Sequence, residues 1–337
     1  TLKNAVTKLE NVGTTLFPGL KTYVYDTRTF SLTLGTNELF ELDGYKDCSI
    51  AAGDGNKISY CSLAVGMNNH GKYQSLAVGY HNSAGVNTAA IGNENQAGNS
   101  SIVAGTGNVI INFSGAIGQE NTTSNYSLVV GKTNTVYTSS AAIGNTNNGG
   151  NNDLLVGENN IANHTAEDGT VVGYNNCTLV GLNNRASGLD STALGEKNNC
   201  GMIGIVAGKS NTSYAYSALF GEGNNFAGSY SFGVGHTNTA TSNYSVAVGY
   251  NNTLTNSYEC VFGDGNATSG TYNLVIGANN TTTKGSGAAN TMSFVLGSGN
   301  TVKATKYGYV NFVLGANNSL FGDSNFAFGT GNTIGKD

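Results

Sequence analysis

The feature that most constrains this chain is a glycine followed, three positions later, by asparagine. From Ser49 the glycines fall at Gly53, Gly66, Gly79, Gly92, Gly105, Gly118, Gly131, Gly144 and Gly157, thirteen residues apart each time. The asparagines Asn56, Asn69, Asn82, Asn95, Asn108, Asn121, Asn134, Asn147 and Asn160 keep step with them. A fixed period of this length marks a repeat architecture, in which one small unit stacks on the next. After Gly157 the period loosens, but glycine and asparagine stay paired through Gly173 with Asn176, Gly181 with Asn184, and on to Gly329 with Asn332. The spacing is fourteen from Gly221 to Gly277, and Gly315, Gly322 and Gly329 stand seven apart, so a coil reads as two half-turns of about seven residues.

The columns beside each glycine describe a strand. Val65, Val78, Ile91, Ile117 and Val130 stand immediately before it, and Leu63, Leu76, Ile102 and Leu128 two places earlier. The alternate positions carry Ala51, Ala64, Ala77, Ala90 and Ala116, flanked by a serine column, Ser49, Ser62, Ser75, Ser101 and Ser114. Side chains alternate between faces of a strand, so one face is large and apolar and the other small. Neither pattern is designed for water. A thirteen-residue coil encloses too thin an interior to bury both faces, which predicts chains packed side by side, as a trimer. About 21 coils at ~4.8 Å per strand give a rod of roughly 100 Å.

Glycine at the corner permits a left-handed backbone, and asparagine is the next most tolerant residue there. Stacked asparagines also hydrogen-bond amide to amide along a stack. The column Asn56, Asn69, Asn82, Asn95, Asn108, Asn121, Asn134 is therefore read as a structural ladder, with a carbohydrate or an ion along it as the alternative.

Composition narrows the function. The chain has 337 residues, 49 glycines, one proline and only 10% charged side chains; with 15 Lys plus Arg and a formal net charge of -5 it offers no basic stripe for nucleic acid. No apolar run approaches the roughly 20 residues of a membrane-spanning helix, so membrane insertion is not expected. The opening residue is Thr1 rather than Met, which fits a processed or trimmed start, so an export signal is not expected to be visible in the sequence even if there was one. Four histidines, scattered carboxylates and five cysteines without metal spacing suggest no catalytic residues, no metal, no cofactor and no enzyme. Cys48 and Cys61, thirteen apart, are either stacked neighbours within disulfide reach or simply two small residues in one column; Cys177, Cys200 and Cys260 read as free thiols.

Residues 1–48 lack the repeat. Leu2, Val6 and Leu9 have helical spacing, and TYVYD and FSLTL between Thr22 and Leu42 read as strands. The expected organisation is an N-terminal cap or docking segment, 1–48, followed by a repeat domain, 49–337.

Phrases such as SLAVGYHNSAG (75–85) and SVAVGYNNT (245–253) resemble the head repeats of YadA-like trimeric autotransporter adhesins, and similar repeats occur in phage fibre proteins. The resemblance implies an all-β chain folded as a left-handed parallel β-roll or β-solenoid of 13–14-residue coils, trimeric and extracellular, on a cell or virion surface. It departs from that pattern in the asparagine after every glycine and the long run at thirteen.

Two groups are candidate contact surfaces. Tyr216, Tyr230, Tyr244, Tyr258 and Tyr272, fourteen apart, should stack as an aromatic column, either closing a chain–chain seam or presenting a platform to a host surface protein or glycan. Three insertions interrupt the period, at 161–170, 281–292 and 301–310, and the last carries Lys303, Lys306, Tyr307 and Tyr309, as a binding loop or a solvated bulge. The functional readings are a surface fibre or adhesin head, a phage tail fibre or receptor-binding protein, a filament joined head to tail through residues 1–48, and an ice-binding solenoid. The last requires a regular threonine array, whereas the threonines are irregular along the chain.

Overall fold

The computed structural model describes residues 20–24, 30–39, 49–165, 171–173, 176–285, 292–305 and 310–335. The chain divides into two compact units, Thr1–Asn159 and Asn160–Asp337. Both are parallel β-solenoids, and the described residues contain no helix.

In the first unit each coil contributes one five-residue strand, such as Leu76–Tyr80, and one two-residue strand, such as Ser83–Ala84. Corresponding strands of successive coils pair in parallel with like positions opposed: Ala77 faces Ala90 and Gly79 faces Gly92. The short strands form their own 8-stranded parallel sheet in this unit and an 11-stranded one in the second. Corners between them are left-handed. The second residue after the repeat glycine (Asn68, His81, Glu94) has φ between 53° and 57°, and the fifth residue before it (Gln74, Asn87, Ser100) has φ between 52° and 55°. The fourteen-residue coils add their extra residue in the turn after the short strand.

The interior is narrow. Ser75, Ala77, Asn82 and Ala84 are the buried residues of one coil, and the next repeats them as Thr88, Ala90, Asn95 and Ala97. The small face of the long strand therefore points inward and the large apolar face outward. Larger interior residues are also buried, such as Val103, Val129, Leu179 and Leu254, and two of the largest pack against a glycine of a neighbouring strand. Phe226 is fully buried because Gly233 stands above it; a Cβ at Gly233 would lie 2.7 Å from the Phe226 ring and from Leu219 Cδ2. Gly149 does the same for Leu155, whose Cδ1 would be 2.8 Å from an added Cβ.

The parallel stack begins inside the segment expected to be a cap. Phe30–Leu34 pairs in parallel with Ile50–Asp54, and Glu38–Leu39 with Lys57–Ile58. Leu20–Val24 then pairs antiparallel with Phe30–Leu34. It covers an edge that would otherwise present unpaired backbone groups. Leu2, Val6, Leu9 and Cys48 lie outside the described residues.

The insertions differ in kind. Asn163–Thr165 and Val171–Gly173 pair as an antiparallel hairpin beside the solenoid. The other two partly continue it: Thr281–Lys284 pairs with Thr301–Ala304, and Met292–Ser298 with Val310–Ala316, which widens two successive coils.

The glycine column is the tightest point of the stack. Gly92 has φ +120°, and a Cβ there would lie 2.0 Å from the Gly105 carbonyl oxygen of the next coil. Gly107 also has a positive φ, +65°, but a Cβ there would meet nothing closer than Glu120 Cγ at 3.6 Å. Gly92→Ala is expected to cost about 3 kcal/mol or more, from strain and overlap together. Gly107→Ala should cost about 1 kcal/mol, from backbone conformation alone. Denaturant midpoints of the two variants check the difference.

Candidate functional site

The most distinctive surface is the outer face of the long strands. In the first unit it consists of two columns running from Ile50 and Ala52 to Leu154 and Val156, with no polar side chain in either. Ile102 is 63% exposed, Ile117 52% and Leu128 49%, whereas Ala116, between the last two columns on the opposite face, is fully buried. Nine strands at ~4.8 Å and a width of about 10 Å give a footprint of roughly 400 Å². That is within the range of the largest apolar patch on a typical single chain, which is often functional. The second unit carries such a face of its own, interrupted only by Thr178 and Thr192 and ending in Phe326 and Phe328, exposed by 64% and 70%. The outer face of the short strands is different: Lys57, His70, Ser83, Gln96 and Thr122 make it mostly polar, with Val109 an exposed apolar residue among them.

The predicted asparagine ladder is present and saturated. Asn95 Nδ2 donates to Asn82 Oδ1 at 3.0 Å, to the Ile91 carbonyl at 3.1 Å and to the Gly105 carbonyl at 2.8 Å. Its Oδ1 accepts the Asn108 backbone N–H at 3.1 Å and Asn108 Nδ2 at 2.9 Å. Asn56, Asn69, Asn82, Asn108, Asn121 and Asn134 repeat this pattern of amide-to-amide bonds, and all are buried. The amides face inward and their bonding capacity is used along the stack. That leaves no access for a carbohydrate or an ion. In the second unit the ladder runs from Asn160 directly to Asn184 and on to Asn332. Asn176 stands apart from it, exposed and donating to Asp190 Oδ1 at 2.8 Å, because Gly173 belongs to the hairpin rather than to a coil.

A second ladder occupies the opposite corner. Ser127 N–H donates to Ser114 Oγ at 3.3 Å and Ser140 N–H to Ser127 Oγ at 3.2 Å, the same backbone-to-preceding-side-chain bond that the asparagines make. The serine column lies seven residues before the asparagine column, so the two are equivalent halves of the coil. At the end of the second unit asparagine takes over this corner too: Asn325 N–H donates to Asn311 Oδ1 at 3.0 Å. Glu259 stands in the same column and is fully buried. Its carboxylate accepts the Asn256 N–H, the Gly270 N–H and Asn273 Nδ2, each at 3.0 Å. Burial pushes the carboxyl above the ordinary carboxylate range, against these hydrogen bonds, which favour the ionised form.

The five tyrosines form the expected column. Adjacent ring centroids are 4.8, 5.1, 4.8 and 4.9 Å apart and the rings are parallel to within 7°, 7°, 2° and 19°. Because each ring face is covered by its neighbour, only edges and hydroxyls reach solvent. Lys303 lies in the widened strand Thr301–Ala304 and is half-buried, while Lys306, Tyr307 and Tyr309 lie outside the described residues. The threonines of the short strands come into partial register, Thr239 beside Thr253, before Ala267 breaks the row. Cys61, Cys177, Cys200 and Cys260 form no disulfide; Cys61 is exposed, Cys177 and Cys200 are buried, and Cys260 is half-buried. Among the described residues no cluster of three or more His, Cys, Asp or Glu is arranged to hold a metal.

No family model and no curated protein matches the chain.

Two variants at adjacent positions test the ladder. Asn252 is fully buried and donates through Nδ2 to Asn238 Oδ1 at 2.9 Å and to the Gly263 carbonyl at 2.7 Å, while its neighbour Asn251 is exposed at the corner. Asn252→Asp, which sets a carboxylate against two acceptors, should destabilise by about 3 kcal/mol or more. Asn251→Asp should change stability by less than about 0.5 kcal/mol. Chemical denaturation of both variants gives the comparison.

Glu259 gives a pH dependence of definite sign. Its folded form holds the proton more tightly than its unfolded form, so its contribution to stability falls as pH rises from the ordinary carboxyl value through the raised folded value. It is level above that. The Glu259→Gln variant should lack this fall when unfolding midpoints are measured across the acid range.

Proposed function

We propose that this chain is a subunit of a fibrous extracellular structural or adhesive protein on a cell or virion surface, built by packing β-solenoids side by side. The observation that carries the reading is the outward apolar face. Two columns of Leu, Ile, Val, Ala and Gly without a polar side chain leave a continuous apolar strip in water, which a second copy presenting the same columns would cover. The polar outer face of the short strands then faces solvent. A three-fold arrangement of left-handed coils, as in the adhesin heads whose repeats this chain resembles, brings three such faces together around one axis. The hydrogen-bonded stack suits a mechanical role, since successive coils are tied through backbone pairing and the asparagine ladder, and over long stretches through the serine column as well. Adhesion would fall to exposed side chains and to loops that leave the stack without disturbing it.

Analytical ultracentrifugation of the whole chain tests the assembly. A stable trimer at micromolar concentration is expected, and the double variant Ile117→Asp/Leu128→Asp should dissociate to chains with an unchanged β-sheet circular dichroism spectrum. A monomeric, well-folded parent chain, or a double variant that stays assembled, contradicts the proposal.

A further inference from the structure

The five tyrosines at the corner before the long strand are set one above another by the backbone. Tyr216, Tyr230, Tyr244, Tyr258 and Tyr272 share φ between 55° and 63°, and their register is pinned to the preceding coil, as where the Tyr244 N–H donates to the Ser229 carbonyl at 2.9 Å. Equal backbone geometry at equal register makes successive Cα–Cβ bonds parallel, so the rings stack with centroids 4.8 to 5.1 Å apart. In rings this parallel, each Cε, the carbon ortho to the hydroxyl, lies over the Cε of the next ring at close to the centroid spacing. The edges that carry those carbons and the hydroxyls reach water, the residues being 41% to 52% exposed.

A phenol that loses one electron and its hydroxyl proton becomes a radical whose unpaired electron is shared between the oxygen and the two ortho carbons. Two such radicals couple when their ortho carbons meet, and a stack that holds the rings together replaces a chance encounter by an intramolecular one. The same corner in the first unit stacks Phe113 on Tyr126, 5.1 Å apart and parallel to within 6°, but phenylalanine has no hydroxyl to lose. Tyr60 and Tyr73 are 4.9 Å apart and tilted by 38°. The second-unit column instead sets phenol against phenol at four successive contacts.

We propose that the tyrosine column is a site of oxidative cross-linking, at which a peroxide-driven one-electron oxidant joins rings of adjacent coils as dityrosine. Each of two neighbouring phenols gives up one electron and its hydroxyl proton. The radicals pair their electrons in a Cε–Cε bond, and each bonded Cε passes its hydrogen, as a proton, back to its ring's oxygen, restoring both phenols. The two electrons and two protons released reduce one O–O bond, hydrogen peroxide giving two waters. Rotation about χ1 and χ2 brings the Cε atoms together, and the solvent-facing edges leave room for it. A link between adjacent coils closes a loop of fourteen residues and ties the stack covalently. It forms within one chain and does not depend on the side-by-side assembly.

Photo-oxidation of the whole chain with tris(bipyridyl)ruthenium and persulfate, whose O–O bond takes the two electrons, tests this. Dityrosine fluorescence is expected, with links mapped by mass spectrometry to column neighbours such as Tyr230 and Tyr244, in a product that runs as a single chain on a denaturing gel. The Tyr230→Phe/Tyr258→Phe variant keeps the stack but leaves Tyr216, Tyr244 and Tyr272 with only phenylalanine beside them. Its column links should fall by about tenfold or more with no loss of melting temperature. The Tyr214→Phe/Tyr250→Phe variant, altered outside the column, should link as the parent does. So should Ile117→Asp/Leu128→Asp, whatever its state of assembly, which keeps this outcome separate from that of the assembly. Absence of column links in the parent, equal links in the Tyr230→Phe/Tyr258→Phe variant, or links found only between chains overturns the proposal.

Discussion

The asparagine amide ladder is the interaction on which the rest of the structure depends. Over much of the first unit the interior is alanine and serine, from Ala51 to Ala97, and buries little apolar surface, although Val103, Val129 and Leu155, and Leu179, Leu219 and Leu254 in the second unit, are larger. A buried alanine contributes well below the roughly 1.5–3 kcal/mol of a fully buried valine or leucine. The stack must therefore be held by directional bonds. The asparagine amide is suited to this because it both donates and accepts along the stacking axis, so that Asn82, Asn95 and Asn108 bond in one continuous line. The same amides bond the glycine carbonyls of the following coil, as Asn95 does at Gly105. This explains why glycine and asparagine are locked three residues apart: the glycine brings the backbones close enough for the amide to reach.

A consequence is an inversion of the usual globular arrangement. Alanine and serine fill much of the inside, alongside buried Val103, Val129, Leu179 and Leu254, and Leu155 and Phe226 pack against Gly149 and Gly233, where a Cβ would clash. The large apolar residues are displaced to the outer face of the long strands, where a single chain cannot bury them. The coil thus leaves an apolar outer surface, which is the observation that the proposed side-by-side assembly rests on.

Much of this was legible in the residues. The glycine and asparagine columns, the stacked strands, the amide ladder and the tyrosine column all follow from spacing, because in a solenoid equal sequence separation becomes spatial adjacency. Which strand face lies inside did not follow, since alternation separates two faces without saying which one the turns enclose. The left-handed corners decide that, and His81, Glu94 and Tyr244 at such corners give no compositional signal of a positive φ. The serine ladder was visible as a column but not as the counterpart of the asparagines. Glu259 was visible as well, four residues before Gly263, and went unremarked because a single carboxylate in a serine column looks like surface variation. Asn176 shows the opposite error, a residue with the right spacing from Gly173 that lies outside the buried ladder, at a left-handed corner where it bonds Asp190 of the next coil.

The ladder makes one claim that can be measured directly. Asparagine side-chain N–H₂ groups in solution exchange their hydrogens quickly, whereas those of Asn82, Asn95 and Asn108 are buried and bonded to neighbouring coils. Site-resolved hydrogen exchange by NMR on the assigned side-chain amides should find them protected to the same degree as the backbone N–H groups of the adjoining strands, with exposed Asn251 exchanging freely. Ladder amides that exchange as fast as Asn251 while the backbone stays protected would contradict the account, because the stack would then be holding together without them.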